Sequence, residues 1–492
     1  MHDFIDVAAV QRLYARVGAP PPLSLLLQHR SLIPVPAFVD VLAMQRPDEP
    51  ALILGAGSSP EAITRAELAG AVTAASLRLH EAGVVQGDWV GVALPNGADH
   101  VVATLAVWRV GATPVPLPDG TQGASLPGGR VRHVIADCRG WRSHRGGRYD
   151  PSTRDQWSFR VPDPYAVLSS GGSSGRPRLI PQPSGLWGRA RVSKRDQHRY
   201  GLRLGQTQLV TLPLSHGFGF SYAYARGLAY GHCLVFPASL EPDVVLRAIA
   251  EERVEYMAVV PVMLERLRRA GGFEKFDAGS LETLLHGGAR CSEVTRAAWF
   301  AKVGPNRVVE AYGATDFDIQ CMIWGDEWLQ RVGSVGRPEQ GGIEIRTPDG
   351  AAAAPGEEGM IWASPRVNSS PHQPLQPTGD LGLLDGDGFL YIVGRADRVI
   401  DCGGVNVSPE VVETRLIEHV AVADVVVLGA SDALGNSRLH ALVQPAAAVT
   451  ADELMLWCRS ALPREFVPRR VTFVDQVPRS KAGKVKYGVN LL

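Results

Sequence analysis

The feature that most constrains the fold is an alternation of helix and strand patterns over residues 63–117. Apolar residues recur at every third or fourth position over 64–79, which is typical of one helix face, and the apolar run 89–94 suits a buried strand. A second helix face and a second short strand follow before residue 117. Strands separated by helices usually pair in parallel, so the sequence predicts a layered α/β domain.

Composition excludes several classes of partner. The 492 residues carry 50 Lys+Arg and 50 Asp+Glu, whereas proteins that bind nucleic acid or anionic membranes usually show a basic excess. No apolar run reaches the roughly 18 residues of a membrane helix, and the first 16 residues, which carry acids and mix charges with apolar residues, do not resemble a secretory signal. The six cysteines form no CxxC pair. We therefore expect a cytoplasmic protein with reduced, buried thiols, no nucleic-acid partner and no membrane association.

The sequence also predicts how the chain is divided. A strand-rich unit covers 342–362, and after about residue 395 a new α/β pattern begins. In that last part Ser408 is a good N-cap residue, and Thr450 with Glu453 forms a capping-box pattern. We expect an N-terminal domain over 1–394, a hinge at 395–398 and a small C-terminal domain over 399–492.

The segment YAVLSSGGSSGRPRLIP at 165–181 is the most informative for chemistry. An apolar strand pattern leads into small residues whose backbone N–H groups and hydroxyls can surround an anion, as in phosphate-binding loops. No lysine follows Gly175, so the segment is not a Walker loop. Taken alone, it fits a flexible Gly/Ser connection equally well.

Residues 170–178, SGGSSGRPR, resemble the phosphate loop of the adenylate-forming superfamily, with Arg178 in place of the usual lysine. That superfamily includes acyl-CoA and aryl-acid ligases and the adenylation domains of peptide synthetases. Further segments resemble its motifs in the family's order: LPLSHG at 212–217, HGGA at 286–289, YGATD at 312–316, GSVGRP at 333–338, TGD at 378–380, GRAD at 394–397 and PRSKAGK at 478–484.

The resemblance implies an architecture and a reaction. The fold would be α/β, with a large N-terminal domain of layered subdomains plus a strand-rich one, and a small mobile C-terminal domain. The enzyme would use ATP and Mg²⁺ to convert a carboxylic acid to acyl-AMP with release of pyrophosphate. It would then transfer the acyl group to the thiol of CoA or of phosphopantetheine on an acyl carrier protein.

The catalytic set implied by the resemblance is Lys484, Thr315 and His216. Joining a carboxylate to AMP builds charge on the α-phosphate, so positive charge and fixed donors must face it. Lys484 would bridge carboxylate and phosphate oxygens, Thr315 would contact the α-phosphate, and Asp316 would hold Mg²⁺. The alternatives are a solvated tail lysine for Lys484 and a helix N-cap for Asp316.

For the nucleotide, Asp380 would accept hydrogen bonds from both ribose hydroxyls with the help of Arg395; the alternative for Asp380 is a turn residue. Asp397 resembles the hinge residue about which the small domain rotates. The other residues that the resemblance assigns to the nucleotide are Ser170, Gly171, Gly172, Ser173, Ser174, Gly175, Arg178, Gly288, Ala289, Arg290, Tyr312 and Gly313.

The acid itself is constrained by Gly217. Amino-acid-activating relatives usually place an aspartate there to pair with the α-amine of the substrate. Because this chain has glycine at that position, the ammonium group of an amino-acid substrate would be buried without a counter-charge. We expect an aromatic or apolar acid, and for His216 a gate rather than a base. The aromatic residues at spacing two over 218–224 would line the acid pocket, although the same pattern suits a core strand. The predicted acid-pocket residues are His216, Gly217, Phe218, Phe220, Gly287, Gly288 and Ala314.

Two other functions stay open. One is an adenylating enzyme that passes its activated substrate to a non-thiol nucleophile, or that activates a non-carboxylate oxyanion. The other is a non-catalytic nucleotide-binding relic, which would have no physical need to keep Lys484, Asp380 and Thr315 together.

Overall fold

The computed structural model describes residues 32–121, 130–137, 162–170, 178–183, 186–189, 194–338, 342–365, 374–402, 405–431 and 437–479. Contacts divide the chain into two compact units. The first is Met1–Val259 with Arg269–Leu285, and the second is Val260–Arg268 with His286–Leu492.

The first unit alternates strands and helices along most of its length. Its strands are β1 (Leu32–Pro34), β2 (Pro50–Ala56), β3 (Glu61–Thr64), β4 (Trp89–Val92), β5 (Thr113–Pro116), β6 (Val131–Ile135), β7 (Ala166–Ser170), β8 (Arg178–Gln182), β9 (Trp187–Arg189), β10 (Thr207–Val210), β11 (Cys233–Pro237) and β12 (Tyr256–Val259). Its helices are α1 (Val35–Gln45), α2 (Arg65–Glu81), α3 (Ala98–Arg109), α4 (Lys194–Tyr200), α5 (Gly217–Phe220), α6 (Arg226–Ala229) and α7 (Pro242–Glu251), with a π-helical turn (Ser221–Ala225) between α5 and α6.

Two sheets of this unit are mainly parallel. One has the order β12-β10-β11-β2-β3, in which only the β2–β3 pair is antiparallel, and the other has the order β5-β4-β6. Strands β7 and β8 form an antiparallel pair, as do β1 and β9. The predicted layered α/β class is confirmed, because parallel neighbours need the helical crossovers that the sequence pattern indicated.

Helix α2 shows why the local prediction succeeds. The Thr64 hydroxyl accepts the N–H of Glu67 at 3.2 Å, and the Glu67 carboxylate accepts the N–H of Thr64 at 2.8 Å, which closes a capping box. The predicted apolar face is buried: Leu68, Val72, Ala75 and Leu79.

A buried ion pair joins helices α1 and α3. The Arg109 guanidinium donates to Asp40, and the two side chains are 3% and 1% exposed. Arg109 also donates to the Thr73 hydroxyl at 2.6 Å, so one cation ties three helices together. Two charges removed from water this completely are tolerated because each neutralises the other.

The chain passes into the second unit at α8 (Pro261–Arg269) and again at β13 (Thr283–Gly287). The strands that follow are β14 (Val308–Ala314), β15 (Asp318–Trp324), β16 (Arg337–Pro338), β17 (Ile343–Arg346), β18 (Gly359–Ala363), β19 (Gln376–Leu384), β20 (Leu390–Arg395), β21 (Ile400–Asp401), β22 (Asn406–Val407), β23 (Val422–Ser431), β24 (Ser437–Pro445) and β25 (Arg470–Phe473). The helices are α9 (Glu293–Val303), α10 (Gly325–Trp328), α11 (Pro409–Ile417) and α12 (Ala451–Arg459).

Antiparallel pairing dominates the second unit. Strands β14, β15 and β16 pair in that order, and β17 to β20 form a four-stranded meander. In the last part β24 lies between antiparallel β23 and parallel β25. Helices α11 and α12 pack beside these strands around a common apolar core.

Several predictions about this region can be compared with the structure. The Thr450–Glu453 capping box is present. Ser408 occupies the N-cap of α11 but makes no capping hydrogen bond, because its hydroxyl donates instead to Val393 O and to Glu410. The predicted hinge coincides with the end of β20 and a 3₁₀ turn (Ala396–Arg398), and the division into 1–394 and 399–492 stays a prediction.

The structure also describes five of the six cysteines and the helices that were considered as membrane spans. The five cysteines in the described ranges are free and buried, as predicted, and Cys138 lies outside those ranges. Among the described helices, none combines the length and apolar character needed to cross a bilayer.

Asp40→Asn is expected to lower the free energy of unfolding by about 3–5 kcal/mol, because it leaves the buried Arg109 charge without its counter-charge. Urea unfolding followed by tryptophan fluorescence measures the loss. Asp387→Asn is the control, since its pair with Arg331 is 55% and 38% exposed and should contribute less than about 1 kcal/mol. Equal losses in the two variants would contradict the assigned role of the buried pair.

A second prediction concerns pH and His100, which is 1% exposed. Burial lowers the pKa of His100 to about 4 from the ordinary 6.5. Between these values the unfolded chain binds a proton that the folded chain does not, so stability falls as the pH falls from 6.5 to 4. Titration of His100 alone lowers the free energy of unfolding by up to about 1.4 kcal/mol for each pH unit in this range.

In His100→Leu the urea midpoint should therefore fall less steeply with falling pH than in the wild type. The difference in slope should correspond to one fewer proton taken up on unfolding. Thr104→Val is the matched control, because it removes the hydroxyl that lies 3.4 Å from the His100 ring but leaves the titrating group. An unchanged pH slope in His100→Leu would show that this histidine does not titrate in the predicted window.

Candidate active site

Most described residues that the sequence assigned to the nucleotide lie in the second unit. Tyr312 and Gly313 lie near the end of strand β14, Asp380 lies in β19, and Arg395 ends β20. Because β19 and β20 pair with Asp380 opposite Arg395, the strand register itself places these two charges side by side.

The Asp380 carboxylate is held by two partners. The Tyr312 hydroxyl donates to Oδ2 at 2.7 Å, and the Arg395 guanidinium donates to Oδ1 at 3.1 Å. Burial, together with the negative charge of Asp380, raises the pKa of Tyr312, so this phenol stays protonated and acts as a donor. An ionised carboxylate offers about four acceptor positions, so two remain for further donors.

Arg395 also binds the predicted hinge residue. Its Nε and second terminal nitrogen donate to the two oxygens of Asp397 at 3.0 and 3.1 Å. These hydrogen bonds raise the pKa of Arg395 and lower the pKa of Asp397, so both groups stay charged. Gly379 is required beneath this fork, because its φ is +83° and a Cβ would lie 2.9 Å from the guanidinium. Tyr312, Asp380, Arg395 and Asp397 thus form one continuous chain of hydrogen bonds.

The turn after β13 carries Gly288, Ala289 and Arg290, which are all exposed. Gly287, at the end of the strand, has no room for a side chain, since a Cβ would lie 2.5 Å from Ala311 O on β14. The two strand ends that carry predicted site residues therefore approach each other closely.

Strands β13 and β14 also carry a buried polar group that the motifs did not predict. Arg296, on α9, donates to Glu310 at 2.7 Å, and the two side chains are 5% and 8% exposed. His286 is fully buried, and neither ring nitrogen has a hydrogen-bond partner among the described residues. Burial and the Arg296 charge hold the pKa of His286 well below its usual range, so its imidazole is neutral.

Ala314, the last residue of β14, is exposed, and Thr315 and Asp316, in the turn before β15, are half-buried. In the part of the chain that the structure describes, no group of three or more His, Cys, Asp or Glu side chains could hold a metal ion. Mg²⁺ in nucleotide sites is usually bound by one or two carboxylates together with phosphate oxygens. A single Asp316 carboxylate fits that requirement.

Three of the residues predicted to line the acid pocket, His216, Gly217 and Phe218, are half-buried at the start of α5 in the first unit. The segment before them is held by Asn96, whose side chain donates to Leu212 O at 2.8 Å and accepts the N–H of Leu214 at 3.1 Å. Asn96 lies 116 residues before Leu212 in the sequence, so no local pattern predicted that its side chain holds this segment.

The aromatic residues of 218–224 occupy helical turns, so the alternative of a core strand is wrong. In helix and π-helix geometry the residues four apart meet: the Phe218 and Tyr222 ring centroids are 5.7 Å apart, and those of Phe220 and Tyr224 are 5.4 Å apart. Phe220 is completely buried and also contacts Trp108, whereas Phe218 stays partly accessible.

The phosphate-loop prediction falls mostly outside the described residues. Ser170 and Arg178 are opposite each other at the ends of β7 and β8, so 171–177 connects two paired antiparallel strands. Gly171, Gly172, Ser173, Ser174 and Gly175 lie in that undescribed connection, and Lys484 lies in the undescribed range 480–492.

The family model of AMP-binding enzymes matches residues 39–140 and 148–367, and the model of the AMP-binding enzyme C-terminal domain matches residues 411–484. A 2-succinylbenzoate–CoA ligase of Bacillus licheniformis is 28% identical over 440 residues, which is 83% of this chain and 90% of the relative. A feruloyl-CoA synthase of Amycolatopsis is 27% identical, with 87% and 93% covered.

The fold has solved counterparts as well. An amide bond synthetase from Marinactinospora thermotolerans matches with a TM-score of 0.71 at 23% identity, covering 92% of this chain and 98% of that one. At this identity the likeness establishes the fold alone, and it agrees with the α/β class predicted from the sequence. Because the two family models together match well over half of its residues, the chain belongs to the AMP-binding enzyme family, whose adenylate-forming members its motifs resemble.

Proposed function

We propose that the protein is an ATP- and Mg²⁺-dependent ligase that activates an aromatic or apolar carboxylic acid as acyl-AMP and then transfers the acyl group to the thiol of CoA. The observation that carries the proposal is the Asp380 carboxylate held between Tyr312 and Arg395, in a chain that belongs to the AMP-binding enzymes. Its two remaining acceptor positions suit the two hydroxyls of a ribose.

The chemical steps assign a task to each group. The acid carboxylate attacks the α-phosphorus of ATP, the new C–O–P link forms, and the P–O bond to pyrophosphate breaks. Lys484 neutralises charge on the carboxylate and α-phosphate oxygens, and Thr315 donates to the α-phosphate. Asp316 would hold Mg²⁺, which would supply positive charge at the phosphates. A thiolate then attacks the acyl carbon, and AMP leaves.

The nature of the acid rests on Gly217 and Phe218. Gly217 offers no carboxylate to a substrate ammonium, and the partly accessible Phe218 ring presents an aromatic surface beside it. The names of the two relatives above, 2-succinylbenzoate–CoA ligase and feruloyl-CoA synthase, each refer to an aryl acid, which supports the same class of substrate. The five cysteines in the described ranges are free and buried, which suits a reducing compartment, so we propose a cytoplasmic location.

Acid-dependent exchange of pyrophosphate into ATP tests the first half-reaction. A panel of benzoate-type, cinnamate-type and alkyl acids should give exchange that is highest with the aryl acids. Product analysis with CoA, with a pantetheine-loaded carrier protein and with an amine then identifies the acceptor. No exchange with any acid, together with tight ATP binding, would support the non-catalytic alternative, and an amide product without thiol would support the non-thiol alternative.

Lys484→Ala should reduce the exchange rate by a factor of about 100 or more, because it removes the positive charge at the developing anion. Lys481→Ala is the matched control, three residues away in the same segment, and should keep most of the activity. Similar rates for the two variants would overturn the assignment of Lys484.

Asp380→Asn should raise the KM for ATP by about tenfold or more, because two hydrogen bonds to a charged acceptor are weakened. Its kcat should change less, since Asp380 contacts no reacting atom. Asp387→Asn, in the turn of the same β19–β20 hairpin, serves as the control and should leave both constants unchanged. A KM for ATP that does not respond to Asp380→Asn would exclude the ribose role.

A further inference from the structure

One face of the helical segment 217–230, which comprises α5, the π-helical turn and α6, is partly accessible. Gly217, Phe218, Ser221 and Arg226 have intermediate exposure, whereas the other residues of the segment are buried. In a π-helical turn the hydrogen bonds join residues five apart, so Ser221 and Arg226 share a face, as Phe218 and Ser221 do in the preceding turn. The accessible face that begins at the proposed acid pocket therefore continues to Arg226.

Arg226 lies at the end of a row of aromatic rings. Its guanidinium carbon is 4.6 Å from the ring centroid of Tyr222 and 4.6 Å from that of Tyr200, the last residue of α4. The Tyr222 centroid is in turn 5.7 Å from that of Phe218. A guanidinium that rests on aromatic rings keeps its N–H donors in its own plane, where they can meet an acceptor at its edge. One of them lies 3.4 Å from the Tyr222 hydroxyl.

A buried phenol, that of Tyr256 on β12, faces the same π-helical turn. Tyr256 pairs in register with Gln208 on β10, so the two side chains project from the same face of the sheet. The Gln208 side chain donates to Tyr222 O at 2.9 Å, which identifies that face as the one covered by the turn.

The Tyr256 hydroxyl has no hydrogen-bond partner among the described residues, although the residue is completely buried. Burial raises the pKa of Tyr256, against a smaller lowering by the Arg226 charge, so the phenol stays protonated and can donate. A buried donor without an acceptor is costly, which favours a ligand atom at this place.

The two ends of the accessible face therefore differ in chemistry. Gly217 lies where an amino-acid substrate would need a counter-charge for its α-amine, so the reacting carboxylate belongs at this end. Arg226 is eight residues further from Phe218, which is about 12 Å at the rise of a helix. Aromatic rings lie between these ends and suit an aryl group.

We propose that Arg226 is a specificity-determining residue that, together with Tyr256, binds an oxygen-bearing substituent at the end of an aryl acid opposite its reacting carboxylate. The inference rests on the proposed function and narrows its substrate class. A guanidinium edge and a phenol hydroxyl are both donors, so they select an oxygen acceptor and would be left unsatisfied by an alkyl group.

The test compares pyrophosphate exchange by the full-length enzyme with three cinnamate-type acids that carry a methyl, a hydroxyl or a carboxylate group at the para position. We expect kcat/KM to be at least about tenfold higher for an oxygen-bearing acid than for the methyl acid, because the methyl group leaves both donors unpaired. The carboxylate should give the highest value if charge adds to the hydrogen bond, and the hydroxyl if it does not.

Two variants connect this preference to the named residues. Arg226→Met keeps a long apolar side chain but removes the donors, and should reduce the preference to within about twofold. Tyr256→Phe removes only the hydroxyl and should reduce the preference about three- to tenfold. Each preference is a ratio of two acids measured on one preparation, so a lower yield of folded enzyme does not alter it.

Arg346→Met is the matched control. It removes a guanidinium that lies 4.3 Å from the Trp362 ring, in the β17–β18 pair of the second unit, and should keep the preference of the wild type.

The outcomes separate this inference from the proposed function. Absence of exchange with every acid would overturn both. Exchange at equal kcat/KM for the three acids, or a preference for the methyl acid, would leave adenylation established and overturn the inference alone. A preference for an oxygen-bearing acid that persists unchanged in Arg226→Met would also overturn it, by assigning the selection to other residues.

Discussion

The nucleotide half of the candidate site depends on how one guanidinium, that of Arg395, is divided between two carboxylates. One terminal nitrogen binds Asp380, while the remaining edge of the fork binds Asp397. A planar group with donors in fixed directions can serve both, which a lysine ammonium cannot do with the same geometry. The proposed ribose contact and the proposed hinge residue therefore share one guanidinium.

Each of the two units contains a buried ion pair between a helix and a neighbouring helix or strand. Arg109 pairs with Asp40 between helices of the first unit, and Arg296 pairs with Glu310 in the second. Each pair is costly to remove from water and is therefore tolerated only in a fixed geometry. In the second pair Glu310 lies two residues before Tyr312 on β14, so the strand that supplies the donor to Asp380 is also tied to α9.

Sequence reasoning succeeded where the signal is local. Capping boxes at Thr64 and Thr450 depend on residues three positions apart, and both are present. Sequence reasoning was ambiguous where one pattern fits two geometries. Aromatic residues at spacing two over 218–224 suit one face of a strand, but the structure has a helix with a π-helical turn, in which residues four apart are in contact. At Ser408 the capping residue type was recognised, but the hydroxyl found better acceptors in Val393 and Glu410.

The sequence by itself determined the family, the class of reaction and the residue types at the site, because the chemistry of adenylation requires particular groups in short motifs that survive as local patterns. Tertiary structure decided the geometry in which these groups meet. Asp380 and Arg395 are adjacent because two strands pair in one register, and Asn96 meets Leu212 across 116 residues of chain. Such contacts depend on strand register and on the packing of distant segments, and no local pattern encodes either.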